Sequence, residues 1–245
     1  MSGHSKWANI KRQKQANDLI RGNIFSKLSR AVTLAVIDGG GISDPEHNVK
    51  LRLAIEKARQ LNMPKDNIQR AIEKGAGPDR VQLKEIIYEA FGPSGAALII
   101  LVTTDNVNRT LSEIRSILER HEGKLGNHGS VSYLFQKCAV IIFKKSDVEE
   151  GKVLSFSEEI NAFDIDEDDT HFSVYLPYEN LGRIKDHIHE LKYEIAEIDF
   201  KPATSLPISD EAKAKKIVSL VNALEADQDV QKVFTNADIP AHLLG

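Results

Sequence analysis

The spacing of apolar residues predicts a series of helices in the first third of the chain. Ile24, Leu28, Ala31 and Ala35 recur at helical spacing and share one face of a helix. The three glycines at positions 39–41 end this helix, because glycine loses more backbone entropy on ordering than any other residue. Residues 1–20 predict an earlier, basic helix that carries only a thin apolar stripe.

Two more helices follow in this part of the chain. Ser43 and Glu46 have the spacing of a capping box, which predicts the start of a third helix. Pro64 predicts the start of a fourth helix, and Gly75 lies near its end. The short connection at residues 61–64 gives this pair the spacing of a helix-turn-helix, with a plain α-hairpin as the alternative.

The pattern changes after about residue 80, where strands and helices are mixed. Runs rich in β-branched residues predict strands over residues 81–91, 96–103, 131–135, 139–143, 172–176 and 194–200. Helical spacing predicts helices over residues 108–121, 146–160, 178–191, 209–224 and 228–234. Because the elements do not alternate strictly, an α+β fold is expected, with a helical domain before sandwiches that carry helices on one face.

Charge divides the chain at the same place as the predicted elements. Residues 1–80 contain 15 Lys and Arg against 8 Asp and Glu, a balance of +7. The remaining residues contain 17 Lys and Arg against 28 Asp and Glu, a balance of −11. A positive module can neutralise the phosphates of a nucleic acid even though the whole chain carries a net charge of −4.

The basic side chains of this module are the candidate nucleic-acid-binding residues. Lys and Arg match phosphate oxygens, and acidic partners at i,i+4 spacing are scarce among them. The first candidates are Lys6, Lys11, Arg12, Lys14, Arg21, Lys27 and Arg30. The second group lies on the predicted fourth helix and consists of Lys65, Arg70 and Lys74. Trp7 fits a buried anchor better than a platform for base stacking.

Two patterns that suggest a metal site are incomplete. Residues 164–169 resemble the start of a calcium loop, but Asp169 stands where that loop requires glycine and Tyr175 where it requires glutamate. A solvated acidic connector is therefore predicted. His187 and His189 face two ways on a helix and have no acidic partner in place, so no metal or other cofactor is expected.

Several further features bear on the class of protein. The glycines at 123, 126 and 129 lack the Gly-Lys-Ser/Thr ending of a phosphate-binding loop, and no catalytic arrangement can be assembled from spacing. The single cysteine, Cys138, is expected to be buried and inert. Residues 1–7 have no apolar stretch, so a secretory leader is not expected, and the longest apolar run, residues 96–102, is too short to cross a bilayer. A cytoplasmic, monomeric protein that is not an enzyme and does not bind membranes is predicted.

Long motifs along the chain resemble those of the YebC family. The matching stretches are residues 3–11, 21–22, 24–28, 52–58, 62–68, 70–72, 88–93, 104–106, 108–110 and 129–131, with Phe135. The resemblance covers nearly the whole chain. Residues 12–17 depart from the common basic run of the family and lack one or two of its positive charges.

The resemblance implies a fold and two alternative functions. The family has a helical N-terminal domain followed by two α+β domains, the third inserted into the second. On this chain that division predicts domains at residues 1–77, at 78–135 plus 203–245, and at 136–202. The family is usually described as DNA-binding transcriptional regulators, whereas relatives that include a mitochondrial translational activator act on the ribosome at difficult stretches such as proline runs. The expected partner is therefore DNA or ribosomal RNA, and an enzyme that uses an interdomain cleft ranks last.

Overall fold

The computed structural model of the chain describes residues 18–77 and 82–243. The helices are α1 (Asp18–Asp38), α2 (Val49–Gln60), α3 (Lys65–Ala76), α4 (Val107–Arg120), α5 (Glu150–Glu159), α6 (Ile184–His187) and α7 (Glu211–Ala226). The strands are β1 (Lys84–Phe91), β2 (Ala97–Thr104), β3 (Lys124–Leu125), β4 (Phe135–Lys144), β5 (Asp164–Glu167), β6 (His171–Pro177), β7 (Ile195–Pro202), β8 (Leu206–Pro207), β9 (Val230–Thr235) and β10 (Ala237–Asp238). The basic helix predicted over residues 1–20 falls almost entirely outside the described residues.

The N-terminal domain is a bundle of α1, α2 and α3. Its core consists of aliphatic side chains from all three helices, among them Val32, Leu51, Ile55 and Ile68. Helix α3 lies very close to α1 at Gly75, where a Cβ atom would be 2.7 Å from the Thr33 carbonyl oxygen. Glycine is therefore required for this approach of the two helices.

The start of α2 differs from the prediction. Its N-cap is Asn48, whose Oδ1 accepts a hydrogen bond from the Leu51 N–H at 3.1 Å and whose Nδ2 donates to the Ala35 carbonyl at 2.8 Å. The Asp44 carboxylate instead accepts from the Glu46 N–H and closes a turn before the helix. The predicted start at residue 43 was wrong, because Asn48 satisfies α2 and a carbonyl of α1 together. The predicted start of α3 after Pro64 is confirmed.

The second domain is built on an antiparallel sheet in the order β3-β1-β2-β9. Helices α4 and α7 cover one face, where Ile100, Ile114, Leu118, Ile217 and Leu220 form the core. The sequence explains the central position of β2, since most of its residues are apolar and nearly all of them are buried. Strands β8 and β10 form a separate parallel pair.

The third domain is built on an antiparallel sheet in the order β5-β6-β4-β7. Helix α5, a 3-10 segment (Tyr178–Arg183) and α6 lie on one face around Ile141, Phe156 and Leu176. All four strands lie between β3 and β9 in the chain, so this domain is inserted into the second. The fold is α+β, as expected, while the predicted domain limits to the residue stay a prediction.

Four of the predicted elements were wrong in type or extent. Residues 228–234, predicted as a helix, contain β9, because their apolar residues pair with β2. The strand predicted over residues 131–135 is instead a 3-10 turn (Ser132–Leu134), and β4 begins at Phe135. The helix predicted over 178–191 is the 3-10 segment followed by the single turn of α6. Residues 164–167 of the predicted acidic connector form β5, where the Asp164 and Asp166 carboxylates each lie 2.8 Å from Lys201 Nζ.

The two sheets meet through aromatic side chains. Phe200 of β7 and Phe234 of β9 have ring centroids 5.0 Å apart, and Ile99 and Phe135 complete this small core. Cys138 lies on the opposite face of β4 and is buried, as predicted. Burial raises the pKa of its thiol to about 12.

Candidate nucleic-acid interface

Two of the candidate basic residues, Lys27 and Arg30, point from α1 toward the second domain. Lys27 Nζ donates to the Glu225 carbonyl at 2.5 Å, and the neighbouring Asn23 Nδ2 donates to the Ala226 carbonyl at 2.8 Å. These carbonyls are the last two of α7, where the helix leaves its acceptors unsatisfied. A cation is favourable at this end of a helix, so Lys27 stabilises both α7 and the contact between domains.

Arg30 makes the second contact of this kind. Its NH1 donates to the Thr103 carbonyl of β2 at 3.1 Å and forms an ion pair with the Asp229 carboxylate. Asp229 precedes β9 and is almost completely buried. Arg30 therefore joins the helical domain to the edge of the first sheet.

Asp229 is the centre of a larger cluster of donors. Its Oδ2 accepts from Arg109 NH2 at 2.8 Å, from Thr110 Oγ1 at 2.6 Å and from Thr104 Oγ1 at 3.2 Å. Burial alone would raise the pKa of Asp229, but the hydrogen bonds from Arg109, Thr110 and Arg30 lower it to about 2. The motif at residues 104–110 thus assembles a buried carboxylate site that is already filled by the protein's own donors.

The second group of candidates lies on the outer face of α3. Lys65, Arg70 and Lys74 are exposed there. Arg70 also donates within its own helix, from NH2 to Asn67 Oδ1 at 2.6 Å and from Nε to the Asp66 carbonyl at 3.2 Å. The face carries acidic residues as well, so its net charge is small.

The candidate basic residues fall into four groups. Lys27 and Arg30 lie together at the contact with the second domain, and the three residues of α3 lie in solvent. Arg21 belongs to the first turns of α1, and only its backbone is described. Lys6, Lys11, Arg12 and Lys14 lie outside the described residues.

Glu197 of β7 links all three domains, and sequence reasoning missed it. Its carboxylate lies 2.5 Å from Lys57 Nζ of α2 and 2.8 Å from Lys232 Nζ of β9. Burial would raise the pKa of Glu197, but the charges and hydrogen bonds of Lys232 and Lys57 hold it well below its usual range. The contact fixes α2 against both sheets.

Glu89 of β1 organises the loop that follows β3. Its carboxylate accepts hydrogen bonds from the N–H groups of Gly129 and Val131 at 2.7 Å and of Ser132 at 2.8 Å. Burial would raise the pKa of Glu89, but these N–H donors lower it. The signal in the sequence was a carboxylate within an otherwise mostly apolar strand.

Two acidic groupings of the structure resemble metal sites. Within the described ranges, carboxylate oxygens of Glu113, Asp227 and Asp229 lie within 4.8 Å of one another. The Asp229 oxygens already accept from arginine and threonine, so this group serves as an acceptor for cationic side chains. His187 and His189 both face Glu159, at 3.5 and 3.2 Å, so the prediction that they lack an acidic partner was wrong. Both histidines can reach Glu159 because α6 ends at His187 and the chain then turns.

Models of one protein family match both parts of the chain. A model of the TACO1/YebC N-terminal domain matches residues 5–78, and a model of the TACO1/YebC second and third domain matches residues 83–237. The chain belongs to the TACO1/YebC family. The division between the two matches coincides with the change from the helical bundle to the first sheet, and the resemblance noted in the sequence is confirmed.

Members of the family resemble this chain along its full length. A "probable transcriptional regulatory protein" of Aquifex aeolicus is 42% identical over 247 residues, which covers 100% of this chain and 98% of the relative. A protein of Chlorobium chlorochromatii with the same description is 44% identical over 243 residues, covering 98% and 96%. The crystal structure of a conserved hypothetical protein from Aquifex aeolicus has a TM-score of 0.84 and 40% identity, covering 93% of this chain and 94% of that one. A role in regulation is therefore supported by family, and the three-domain fold agrees with that of a solved relative.

No helix within residues 18–77 and 82–243 has the length and apolar character needed to cross a bilayer.

Proposed function

We propose that this TACO1/YebC family protein regulates gene expression by binding nucleic acid through its positively charged N-terminal module. The observation that carries the proposal is the coincidence of charge with domain structure. Residues 1–80 have a balance of +7, the remainder has −11, and the helical bundle ends within the same region. A positive domain on a negative body binds phosphate with one part of its surface and repels it elsewhere.

Phosphate contact is assigned first to the basic residues at the N-terminal end of the module. These are Lys6, Lys11, Arg12, Lys14 and Arg21, with Lys65, Arg70 and Lys74 as an exposed second group. Lys27 and Arg30 contact carbonyls and Asp229 of the second domain, so their part is to orient the module. Contact through phosphates alone would position the protein without reading sequence.

DNA is the first candidate target, because relatives are described as probable transcriptional regulatory proteins. A ribosome-associated translation factor is the second, and one observation favours it. The Arg70 guanidinium and the Gln69 amide of α3 bond to neighbours on their own helix, which lowers the number of donors available to read base edges. Recognition of folded RNA by shape needs no helix in a major groove.

Binding is proposed in preference to catalysis. Asp229, Glu197 and Glu89 are the carboxylates that most resemble catalytic groups. Their pKa values are lowered because each accepts hydrogen bonds from donors of other elements. Such arrangements stabilise contacts between elements. A carboxylic acid that donates a proton near neutral pH requires the opposite, a pKa raised toward 7.

The test reverses charge in the module and compares it with the same change on the body. The triple variant Lys11→Glu, Arg12→Glu and Lys14→Glu is expected to lose binding to duplex DNA and to ribosomes while its melting temperature stays near that of the wild type. The control triple variant, Lys152→Glu, Lys192→Glu and Lys213→Glu, alters three exposed lysines of the body by the same total charge and should bind normally. Equal loss of binding in both triple variants would contradict the assignment to the module.

Two binding assays at one physiological salt concentration separate the two targets. Fluorescence anisotropy with promoter and scrambled duplexes measures site selectivity, and cosedimentation measures ribosome association. Tight, selective duplex binding without ribosome association assigns transcription. Ribosome binding with weak, sequence-blind duplex binding assigns translation. A wild-type protein that binds neither would refute the proposed function.

A further inference from the structure

The loop between β3 and β4 is held in one conformation by hydrogen bonds to Glu89 of β1. Glu89 accepts the three N–H bonds described above, and the Glu89 carbonyl accepts a fourth from the Gly126 N–H at 2.8 Å. Gly129 has a φ of +86°, a conformation that side-chain-bearing residues rarely adopt. The backbone of residues 126–132 is therefore fixed against β1, and its side chains are displayed in defined positions.

Aromatic rings of this loop and of the end of β1 are exposed to solvent. Tyr133 is 74% exposed, although large aromatic side chains usually bury most of their surface. The His128 side chain is fully exposed, with its Nδ1 3.5 Å from the Glu89 carboxylate. Phe91 lies two residues beyond Glu89 on the same face of β1, at about 7 Å along the strand, and is 39% exposed. Lys124 is paired with Phe91 in the register and is exposed.

The charge of this region differs from that of the body around it. Residues 123–134, which comprise β3 and the loop up to β4, contain one lysine, Lys124, and no Asp or Glu, within a body whose balance is −11. The carboxylate beneath the loop, Glu89, is buried and accepts three N–H bonds. The nearest acid before the segment, Glu122, forms an ion pair with Lys216 at 2.7 Å. The loop thus presents aromatic and basic groups without an opposing unpaired carboxylate in its own segment.

We propose that this aromatic loop surface, consisting of Phe91, Lys124, His128 and Tyr133, binds unpaired nucleotides of RNA. Two bases stack on the rings of Tyr133 and Phe91, and Lys124 contacts a phosphate. His128 offers a hydrogen bond to a base edge or to the 2′-hydroxyl, the group that distinguishes RNA from DNA. The inference rests on the proposed nucleic-acid-binding function and adds a second contact, on the body rather than on the basic module.

The test measures anisotropy with a labelled, unstructured RNA oligomer and with the DNA oligomer of the same sequence. Tyr133→Ala and Phe91→Ala are each expected to weaken RNA binding by about tenfold, because one stacked base is lost. Tyr133→Phe keeps the ring and should bind within about twofold of the wild type. Phe163→Ala is the matched control, since Phe163 is also 39% exposed but precedes β5 on the third domain. It should bind like the wild type.

The outcomes separate this inference from the proposed function. If Tyr133→Ala and Phe91→Ala bind RNA normally while the charge-reversed module variant loses binding, the loop surface is refuted and the proposed function stands. Equal tenfold losses for the RNA and DNA oligomers would overturn the assignment to RNA. Selective loss of RNA binding, with duplex DNA binding unchanged in the same variants, would support it. Because Tyr133 is mostly exposed, its variants should melt like the wild type, and a large fall in melting temperature would count against a binding role.

Discussion

Arg30 and Asp229 form an ion pair between α1 and the turn before β9, although 199 residues separate them in the chain. The pair connects the positive module to the negative body. On the body, several further side chains donate hydrogen bonds to the same Asp229 carboxylate. Arg109, Thr104 and Thr110 complete the set. The contact between the helical bundle and the second domain is therefore charged and specific, in contrast to the apolar cores within each domain.

Removal of the Asp229 carboxylate should be costly. Asp229→Ala leaves the guanidinium groups of Arg30 and Arg109 without their acceptor, and we expect the free energy of unfolding to fall by about 3 kcal/mol. Asp105 is the control, because it pairs with the same Arg109 at 2.8 Å from an exposed position. Asp105→Ala should cost less than about 1 kcal/mol. Urea denaturation measures both, and equal small losses would show that Asp229 is not a structural centre.

The same carboxylate predicts a dependence of stability on pH. Its pKa is about 2 in the folded protein against an ordinary value of 3.8, so the folded state favours the ionised form. A depressed folded pKa contributes stability above the unfolded pKa, and this contribution is lost as pH falls toward the folded value. The stability difference between wild type and Asp229→Asn should be constant above about pH 5 and shrink between about pH 4 and 2. A difference that stays constant down to pH 2 would contradict the role given to ionised Asp229.

Glu197 should control how firmly the three domains are held together. Glu197→Gln leaves Lys57 and Lys232 near each other without the carboxylate between them, so we expect faster amide hydrogen exchange in α2 and β9. Exchange in β6, which lies within its own sheet, should change little. Glu194→Gln is the control, because Glu194 lies just before the same strand but is exposed and contacts only His171 among the described ion pairs. Faster exchange in both variants would mean that the effect is not specific to the three-domain contact.

The close approach of α3 to α1 predicts that a favourable helix substitution will be destabilising. Alanine usually stabilises a helix by about 1 kcal/mol relative to glycine. At Gly75, however, the added Cβ would lie 2.7 Å from the Thr33 carbonyl oxygen and from Val36 Cβ, so Gly75→Ala should cost about 1–3 kcal/mol. Gly151 of α5 has nothing within 4 Å of a Cβ, and Gly151→Ala should be neutral or slightly stabilising. Thermal denaturation of the two variants compares them directly, and a stable Gly75→Ala would show that the helices can move apart.

Local patterns predicted the elements whose causes are local. Pro64 indicates the start of α3, the glycines after Asp38 end α1, and the apolar run of β2 identifies a central strand. The start of α2 was misplaced because Asn48 acts through a carbonyl of α1, 13 residues away. Residues 228–234 were wrongly predicted as a helix because the pairing of β9 with β2 involves residues more than 100 positions earlier. Spacing within a window cannot show such a partner.

In the candidate site, even more of the contacts involve partners that are distant in the chain. The charge division could be read from composition, and it identified the basic module. The contacts of Lys27 and Arg30 with the body could not be read from the sequence, because their acceptors are carbonyls and a carboxylate about 200 residues away. Glu197 likewise has one partner 140 residues earlier and another 35 residues later. A buried carboxylate acquires its role only when the fold brings distant cations to it.

The pairing of Phe135 with Pro202 at the two ends of the third domain bears on how this protein can change over evolution. The chain leaves the second domain and returns to it at neighbouring positions of an antiparallel pair, about 5 Å apart. For the second domain, the whole insertion is equivalent to a loop whose ends already lie together. Since each doubling of loop length costs only about 0.6 kcal/mol, the length of the insertion can change with little penalty to its host, provided that the contacts of Phe200 and Glu197 are kept. The insertion point therefore lets the third domain gain or lose residues in its own loops while the fold of the second domain is retained.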